Sequence, residues 1–149
     1  MRALLQRVTR ASVTVDAATI ASIGPGLLVF LGVGHGDDEA TADALARRVT
    51  ELRILADEEG RTNRSIIDTG GAALVVSQFT LYADTSRGRR PGFTNAADPI
   101  LAERLYLRFA DALRQAGVGD VQTGSFGAEM AVELVNDGPF TISLDTDRA

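Results

Sequence analysis

The strongest constraint on the fold is a continuous apolar run, Leu27–Val33, directly after the turn residues Gly24-Pro25-Gly26. An apolar run of this length, bounded by turn residues, is typical of a β-strand that is buried on both faces. Strand-like patterns also recur along the rest of the chain. The segments that we predict to be strands, besides this run, are 2–8, 11–15, 19–23, 53–56, 72–82, 121–123, 128–135 and 140–144. The fold is therefore expected to be built on a sheet.

Two segments instead repeat their apolar residues at helical spacing. The first begins at an Asp37 or Asp38 cap and ends near Leu52, and the second begins with Asp98-Pro99 and ends at Gly117. The stretches 57–71 and 83–95 are predicted to be irregular, with one short extended piece at 65–67. Because strands and helices do not alternate regularly, we predict a single α+β domain over residues 1–149. Its mixed or antiparallel sheet has the two main helices on one side and can curl into a barrel.

Composition excludes several classes of protein. The chain has no cysteine, so disulfides, cysteine-based zinc sites and thiol nucleophiles are excluded. No helix face gathers carboxylates with a histidine, and we therefore predict no metal site and no cofactor. The net charge of −5 argues against a protein that wraps DNA or RNA through many phosphates. Contact with nucleic acid is expected to be local, such as one end of an RNA.

The pattern of hydropathy favours a cytoplasmic protein. The apolar run at the N-terminus is interrupted by Gln6 and Arg7, which is not the pattern of a signal peptide. No stretch of the sequence approaches the ~18 consecutive apolar residues of a membrane span. A cytoplasmic location without membrane contact is therefore expected.

The familiar catalytic motifs of hydrolases are missing from the sequence. There is no G-x-S-x-G elbow, no H-E-x-x-H and no P-loop. The single histidine, His35, lies between two glycines after the apolar run, where we interpret it as a residue of a surface loop. Because Ser-His-Asp catalysis would need this histidine, one substitution tests that whole class.

Two short segments carry unusual combinations of side chains. Ser77-Gln78-Phe79-Thr80-Leu81 places two hydroxyls, an amide and an aromatic ring at the end of a predicted strand. From the residues alone, this is a strand end whose Phe79 packs in the core. Asn136-Asp137-Gly138-Pro139-Phe140-Thr141 reads from its residues as a hairpin turn. A cis bond before Pro139 would instead turn two neighbouring carbonyls the same way, forming an edge without side chains.

Together these segments resemble the D-aminoacyl-tRNA deacylase family. Similar motifs run from Gln6-Arg7-Val8-Thr9-Arg10-Ala11-Ser12-Val13 through Gly26-Leu27-Leu28-Val29 to Gln122-Thr123-Gly124-Ser125-Phe126-Gly127-Ala128. The resemblance covers essentially the full chain, and the set of motifs in this order is far more specific than any one of them.

The resemblance implies a homodimer of β-barrel-like subunits with active sites at the dimer interface. The substrate is the acceptor end of D-aminoacyl-tRNA, with glycyl-tRNA also admitted, and the reaction is hydrolysis of the ester bond. The catalytic segment is Ser77, Gln78, Phe79 and Thr80. The Gly138-Pro139 peptide is expected to be cis and to reach into the partner's pocket, where its carbonyls meet the α-amino group and block an L side chain. Such a gate gains specificity through clash rather than affinity.

Individual roles follow from the same resemblance and from general chemistry. Water attacks the already activated ester, backbone N–H groups near Phe79 and Thr80 stabilise the oxyanion, and the tRNA 2′-hydroxyl assists. Phe79 is expected to stack on adenine, and Gln78 to orient the carbonyl or the ribose. The remaining predicted substrate-binding residues are Gly138, Pro139, Asn136, Thr141 and Arg7. Arg7 either braces the Gly-Pro turn or is an ordinary surface arginine.

One residue departs from the family pattern. Phe140 stands where the family commonly has a small β-branched residue, so the ring either alters the width of the pocket or faces the core. Three neighbouring arginines, Arg87, Arg89 and Arg90, form the densest basic patch and either contact acceptor-stem phosphates or belong to a solvated loop.

Two other functions remain open from the sequence. The first is a small-molecule esterase or amidase with Thr80 or Ser77 as nucleophile, which predicts a covalent intermediate and activity on L-esters. The second is a non-catalytic module that binds the acceptor end of tRNA, which predicts binding without turnover of the ester.

Overall fold

The computed structural model describes residues 1–148. Its main sheet is built around one long strand, β1 (Arg2–Val15). The other strands are β2 (Ala18–Ile23), β3 (Gly26–Gly32), β4 (Leu55–Ala56), β5 (Thr62–Arg64), β6 (Ala72–Ser77), β7 (Val121–Thr123) and β8 (Ala131–Asp145). The main sheet has the order β2-β1-β3-β6-β7, and β8 pairs with the free side of β1. The pairs β3–β6 and β6–β7 are parallel and the others in this sheet are antiparallel, so the sheet is mixed and forms a nearly closed barrel.

In two places, a pair of strands that we predicted separately forms one continuous strand. The segments predicted at 2–8 and 11–15 form the continuous β1, in which register shifts near Val8 absorb the polar residues between them. The segments predicted at 128–135 and 140–144 form the continuous β8, so the hairpin predicted at 136–139 is wrong. Both halves of β8 pair with the same strand β1 in the same direction, and such pairing leaves no place for a reversal of the chain.

The two main helices lie where their patterns predict them. Helix α1 (Glu39–Glu51) begins at Asp38, whose side chain accepts a hydrogen bond from the Thr41 N–H. Helix α3 (Pro99–Gln115) begins at Asp98, whose carboxylate accepts from the amides of Ile100 and Leu101. These side chains satisfy amide groups that have no partner inside a helix.

A short third helix was not predicted. Helix α2 (Ile66–Thr69) occupies the segment for which we expected an extended piece at 65–67. A reciprocal capping box between Ser65 and Asp68 forms the turn, and Gly70, at φ 63°, ends it. The hydrogen bonds from Ser65 hold the pKa of Asp68 below its usual range.

Two apolar clusters lie on the two faces of the sheet. The larger one packs α1 and α3 against β1, β3 and β6, with Leu45, Phe109 and Val75 fully buried. The second one lies on the opposite face, where Val13, Leu28 and Leu74 are buried and residues of β8 pack against them. Strand β3 contributes to both clusters, which is why the Leu27–Val33 run is apolar at successive positions. Among residues 1–148, no helix is both long enough and apolar enough to cross a membrane.

Candidate active site

The first predicted motif lies at the end of β6. The strand was predicted to continue to residue 82, but it ends at Ser77, and Phe79–Tyr82 form a 3-10 turn. The turn follows from close packing on β3, since the Gln78 amide donates to the Leu31 carbonyl and a Cβ at Gly32 would lie 3.0 Å from the Gln78 carbonyl oxygen. Alternation of side chains therefore stops at Ser77, and the next residues are free to face one cavity.

A cavity of about 560 Å³ opens beside this turn. Ser77, Gln78 and Phe79 line it together with the ends of β3 and β6, the start of α3 and part of β8. The other lining residues are Leu31, Val33, Val76, Phe93, Ala96, Ala97, Pro99, Ala102, Phe126, Gly127, Ala128, Met130 and Val132. None of these lining residues is ionisable. The cavity is thus an apolar pocket whose polar groups are main chain, one amide and one hydroxyl.

Two aromatic rings stand at the pocket. Phe79 is 54 % exposed and Phe93 is 37 % exposed. Exposed apolar rings that adjoin each other and a cavity are typical of a ligand-binding site. Their centroids are 4.9 Å apart with an interplanar angle of 69°. The pair forms an edge-to-face contact that leaves ring surface open to a ligand.

Thr80 does not line the pocket. Its hydroxyl accepts a hydrogen bond from the Gln78 side-chain amide. A carboxamide is not a base that could take up the proton of a nucleophile. The contact therefore fixes Gln78 rather than activating Thr80, and of the four predicted catalytic residues three lie in the cavity.

The start of the 3-10 turn leaves backbone donors available. The first amides of such a turn, those of Phe79 and Thr80, have no acceptor within the turn, and Gln78 makes no side-chain cap. Two neighbouring N–H groups beside an apolar cavity are suited to stabilising a developing negative charge.

The loop that carries Phe93 is anchored on both sides. Asp84 and Gly92 exchange backbone hydrogen bonds of 2.7 and 2.9 Å, and the Ala97 amide donates to the Val33 carbonyl at 2.9 Å. His35 Nε2 lies 2.7 Å from the Thr94 carbonyl, to which it donates as the Nε2–H tautomer. The histidine thus supports this loop and is not among the residues that line the cavity.

The second predicted motif is a bulge in β8. Thr141 pairs with Gln6 and Asn136 pairs with Val8, so four residues of β8, 137–140, stand out of the ladder opposite Arg7. The Asn136 side-chain amide closes the base of this bulge by donating to the carbonyls of Arg7 and Phe140, at 2.9 and 3.1 Å. The Gly138-Pro139 peptide bond is cis, as the resemblance implies, and both residues are exposed.

Arg7 holds the bulge from within. Its Nε donates to the Asp137 carbonyl at 3.2 Å and lies 3.1 Å from the Asp137 carboxylate. Its Nη1 donates to the Ile54 carbonyl at 2.8 Å, and the guanidinium lies 4.9 Å from the centre of the Phe140 ring. Of the two interpretations of Arg7, bracing of the turn is the one that these contacts support.

The contacts of Phe140 also explain how this chain accommodates a residue larger than the one common in the family. The half-buried ring packs against the main apolar cluster beneath Arg7. It is not among the residues that line the cavity.

The two motifs do not meet within one chain. The cavity lining contains none of Arg7, Asn136, Gly138, Pro139 and Thr141. Along the sheet, Thr141 pairs with Gln6, Gln6 with Leu28 and Leu28 with Leu74. Three strand spacings of about 4.8 Å and three residues of about 3.3 Å therefore separate Thr141 from Ser77. The exposed bulge is available to a neighbouring molecule rather than to the pocket of its own chain.

Sequence reasoning missed most of the pocket wall. Phe93, Phe126 and Met130 were not predicted as site residues, although Phe126 lies in one of the resembling motifs. A signal was present at Phe93, because an aromatic residue in an otherwise polar loop is typical of a contact residue. Among residues 1–148, no group of three His, Cys, Asp or Glu side chains is placed to hold a metal ion.

Comparison with known proteins identifies the family. A family model described as D-Tyr-tRNA(Tyr) deacylase matches residues 4–145. The chain belongs to this family. As a member of the D-Tyr-tRNA(Tyr) deacylase family it is an enzyme of the hydrolase class.

Named relatives are similar in sequence to this chain over essentially its whole length. The D-aminoacyl-tRNA deacylase of Thermomicrobium roseum is 60 % identical over 98 % of the chain and 94 % of that protein. The one of Paracoccus denitrificans is 59 % identical over 100 % of both.

Two solved structures share the fold of this deacylase family member. A protein titled c-Myc DNA Unwinding Element Binding Protein matches with a TM-score of 0.93 and 39 % identity, over 98 % of this chain and 99 % of that one. A probable eukaryotic D-amino acid tRNA deacylase matches with a TM-score of 0.83, over 96 % and 97 %; at 18 % identity it supports the fold alone.

Proposed function

We propose that this protein hydrolyses the ester bond of D-aminoacyl-tRNA, and of glycyl-tRNA, to release free tRNA and the amino acid. The observation that carries the proposal is the cavity of about 560 Å³ that has no ionisable lining residue and is bordered by the Gln78-Phe79 turn. A site of this kind suits a substrate that is already activated, because it can bind and orient an ester but has no side-chain base to generate a nucleophile.

The terminal adenosine occupies the apolar pocket. Phe79 and Phe93 offer ring surface at the mouth, and stacking of a base on an aromatic ring is worth about 1–3 kcal/mol. Gln78 is held by its contact with Thr80, so its carboxamide is positioned to orient the ribose or the scissile carbonyl. The pocket thus holds a single terminal nucleoside, such as the 3′ end of an RNA.

In the chemical step, water adds to the ester carbonyl carbon. The negative charge that develops on the carbonyl oxygen is stabilised by the amides of Phe79 and Thr80. The 2′-hydroxyl of the terminal ribose relays the proton from the attacking water to the 3′-oxygen. The bond between the carbonyl carbon and the 3′-oxygen then breaks, leaving a 3′-hydroxyl on the tRNA and a carboxylic acid.

Main-chain atoms of a second copy of the protein distinguish D- from L-aminoacyl groups. The exposed Gly138-Pro139 bulge of a partner subunit reaches the pocket, and its carbonyls accept from the α-amino group of the substrate. An L side chain would meet this main chain, whereas a D side chain or the hydrogen of glycine points away. The support for this step is the separation of the bulge from its own pocket and the rigid bracing by Arg7 and Asn136. The protein accordingly acts as a homodimer.

We propose that the partner is tRNA in the cytoplasm rather than DNA. A title that names DNA binding belongs to the structure that is 39 % identical. The net charge of −5 of this chain opposes wrapping of a duplex, and a pocket for one nucleoside favours an RNA end.

The direct test is hydrolysis of matched D- and L-tyrosyl-tRNA. The expected result is rapid loss of the D-ester and retention of the L-ester. Equal hydrolysis of both would favour the esterase with a Thr80 or Ser77 nucleophile. Binding of tRNA without ester loss would favour the non-catalytic module.

A complementation experiment tests the exchange of motifs between subunits. Phe79→Ala impairs the pocket and Gly138→Ala impairs the bulge, so each homodimer is expected to be weak. When the two variants are unfolded and refolded together, half of the dimers are mixed, and each mixed dimer contains one site with an intact pocket and an intact partner bulge. Recovery of about a quarter of the wild-type D-specific rate supports the proposal, and no recovery contradicts it.

A further inference from the structure

One short stretch of this acidic chain is strongly basic. Residues 85–97 contain Arg87, Arg89 and Arg90 and no Asp or Glu. The rest of the chain carries a net charge of −8, because the three arginines contribute +3 to the total of −5. Three arginines within four residues give the segment 85–91, here named the arginine loop, a net charge of +3.

The arginine loop is placed directly at the pocket. Its base is closed by the two hydrogen bonds between Asp84 and Gly92, and the next residue, Phe93, lines the cavity and contacts Phe79. Arg90 precedes Phe93 by three residues, which span at most about 10 Å of chain. The Cα atom of Arg90 therefore lies within about 10 Å of that of Phe93, and Arg87 and Arg89 belong to the same closed loop.

The charge of the loop is not neutralised by the protein. Every residue from Thr85 to Pro91 is exposed. Within residues 1–148, none of the three guanidinium groups has a carboxylate within ion-pair distance. The adjacent Asp84 is engaged otherwise, since it accepts from the Ser86 amide at 2.9 Å, and hydrogen bonds from the Ser86 side chain and amide hold the pKa of Asp84 below its usual range.

We propose that the arginine loop binds the sugar-phosphate backbone of the single-stranded nucleotides that precede the terminal adenosine. This inference rests on the proposed function, because it names how the same site holds the rest of its substrate. Aromatic rings for a base beside a positive track for the backbone are the two components by which proteins bind single strands. The net charge of −8 on the rest of the chain repels the remainder of the RNA, which favours approach of its end to the arginine loop.

The test compares two substrates that differ only in backbone. One is D-tyrosyl-tRNA and the other is 3′-O-(D-tyrosyl)adenosine without a 5′-phosphate. In the variant R87Q/R89Q/R90Q, the ratio of kcat/KM for the tRNA to that for the adenosine ester is expected to fall roughly tenfold at low salt. The slope of log(kcat/KM) for the tRNA against log[salt] should become shallower by about 2, since each phosphate contact on a single strand contributes about 0.7.

Matched variants separate charge from other effects. R47Q/R53Q/R61Q removes the same charge from exposed residues that do not line the cavity, and the ratio should not change. R87K/R89K/R90K keeps the charge and should keep the slope.

Three results would overturn the inference. They are an unchanged ratio and slope in R87Q/R89Q/R90Q, an equal loss on both substrates, and an equal change in the two glutamine variants. Wild-type protein that hydrolyses neither substrate would overturn the proposed function itself, and this inference with it.

Discussion

Arg7 and Gly138 are so close that a Cβ on Gly138 would lie 2.6 Å from the Arg7 Nη2 atom. Gly138 also has a φ of 122°, which side-chain-bearing residues rarely adopt. The guanidinium cannot withdraw freely, because Nη1 and Nε are held by the carbonyls of Ile54 and Asp137. The shape of the bulge is therefore fixed by a side chain from the neighbouring strand.

Substitution of Gly138 tests this contact. Gly138→Ala is expected to lower kcat/KM for D-tyrosyl-tRNA by about 100-fold or more, because the added methyl group displaces either Arg7 or the main chain of the bulge. The double variant Arg7→Ala/Gly138→Ala relieves the clash but keeps the unfavourable φ, so its loss should be smaller than the product of the two single losses. Multiplicative losses would show that the residues act independently.

Replacement of Arg7 by lysine tests bracing by the guanidinium. Lysine keeps the charge but cannot donate in two fixed directions to Ile54 and Asp137. The ratio of D- to L-tyrosyl-tRNA hydrolysis is expected to fall by about tenfold in Arg7→Lys, since a looser bulge excludes L side chains less well. Arg10→Lys is the control, because Arg10 is an exposed neighbour that lies 3.6 Å from Glu133. A ratio that stays at the wild-type value in Arg7→Lys would show that the shape of the bulge does not depend on the guanidinium.

Thr80→Ala and His35→Ala test the proposal that no side chain acts as the nucleophile or the base. We expect Thr80→Ala to lose less than about tenfold in kcat, through loosening of Gln78, and His35→Ala to keep most of its activity. Loss of a true nucleophile or base would cost about 10⁴-fold or more. Single-turnover rates on D-tyrosyl-tRNA provide the measurement, and mass spectrometry of quenched enzyme would reveal an acyl-enzyme if Thr80 were the nucleophile.

Phe79 and Phe93 at the mouth of the pocket are expected to contribute to substrate binding rather than to the chemical step. Phe93→Ala should raise KM for the adenosine ester with little change in kcat, by a factor of about 5–150 if the ring supplies about 1–3 kcal/mol of stacking. Phe93→Tyr preserves the ring face and should behave like the wild type. Ile20→Ala, which removes an exposed apolar side chain that does not line the cavity, serves as a control. A fall in kcat alone would place Phe93 in the chemical step instead.

A buried tyrosine makes a prediction about stability. Tyr106 donates to the Val75 carbonyl at 2.9 Å, and burial raises the pKa of Tyr106 to about 12. The unfolded chain loses this proton near pH 10, before the folded protein does, so stability falls as the pH rises from about 10 to 12. Tyr106→Phe should lower the free energy of unfolding by about 1 kcal/mol at pH 7 and weaken this alkaline loss. Urea unfolding at pH 7, 10 and 11 measures both.

Patterns within one element were readily predicted from the sequence. The Asp38 and Asp98 caps and the apolar spacing of α1 and α3 are local features, and both helices begin and end within one or two residues of the predicted positions. The Leu27–Val33 run likewise identified β3, because a strand that is buried on both faces has apolar residues at successive positions.

Features that depend on pairing between distant segments were not predicted. The residues 136–139 have the composition of a turn, and nothing local distinguishes a hairpin from a bulge in one long strand. Pairing of both halves of β8 with β1 excludes the hairpin, and that pairing joins residues more than 110 positions apart. The end of β6 at Ser77 similarly depends on contact with Gly32, and the wall formed by Phe93 and Phe126 depends on tertiary packing.

Strand β8 carries Val132, which lines the cavity, and the Gly138 bulge on one uninterrupted run of backbone. A single inserted or deleted residue between these positions would turn every later side chain of the strand to the opposite face and shift the bulge past Arg7. Lineages of this enzyme should therefore conserve the length of this segment strictly, while the connection between β4 and β5, exposed at residues 58–61, varies in length. Between Val132 and Gly138 we therefore expect selection to act on the number of residues as firmly as on their identity.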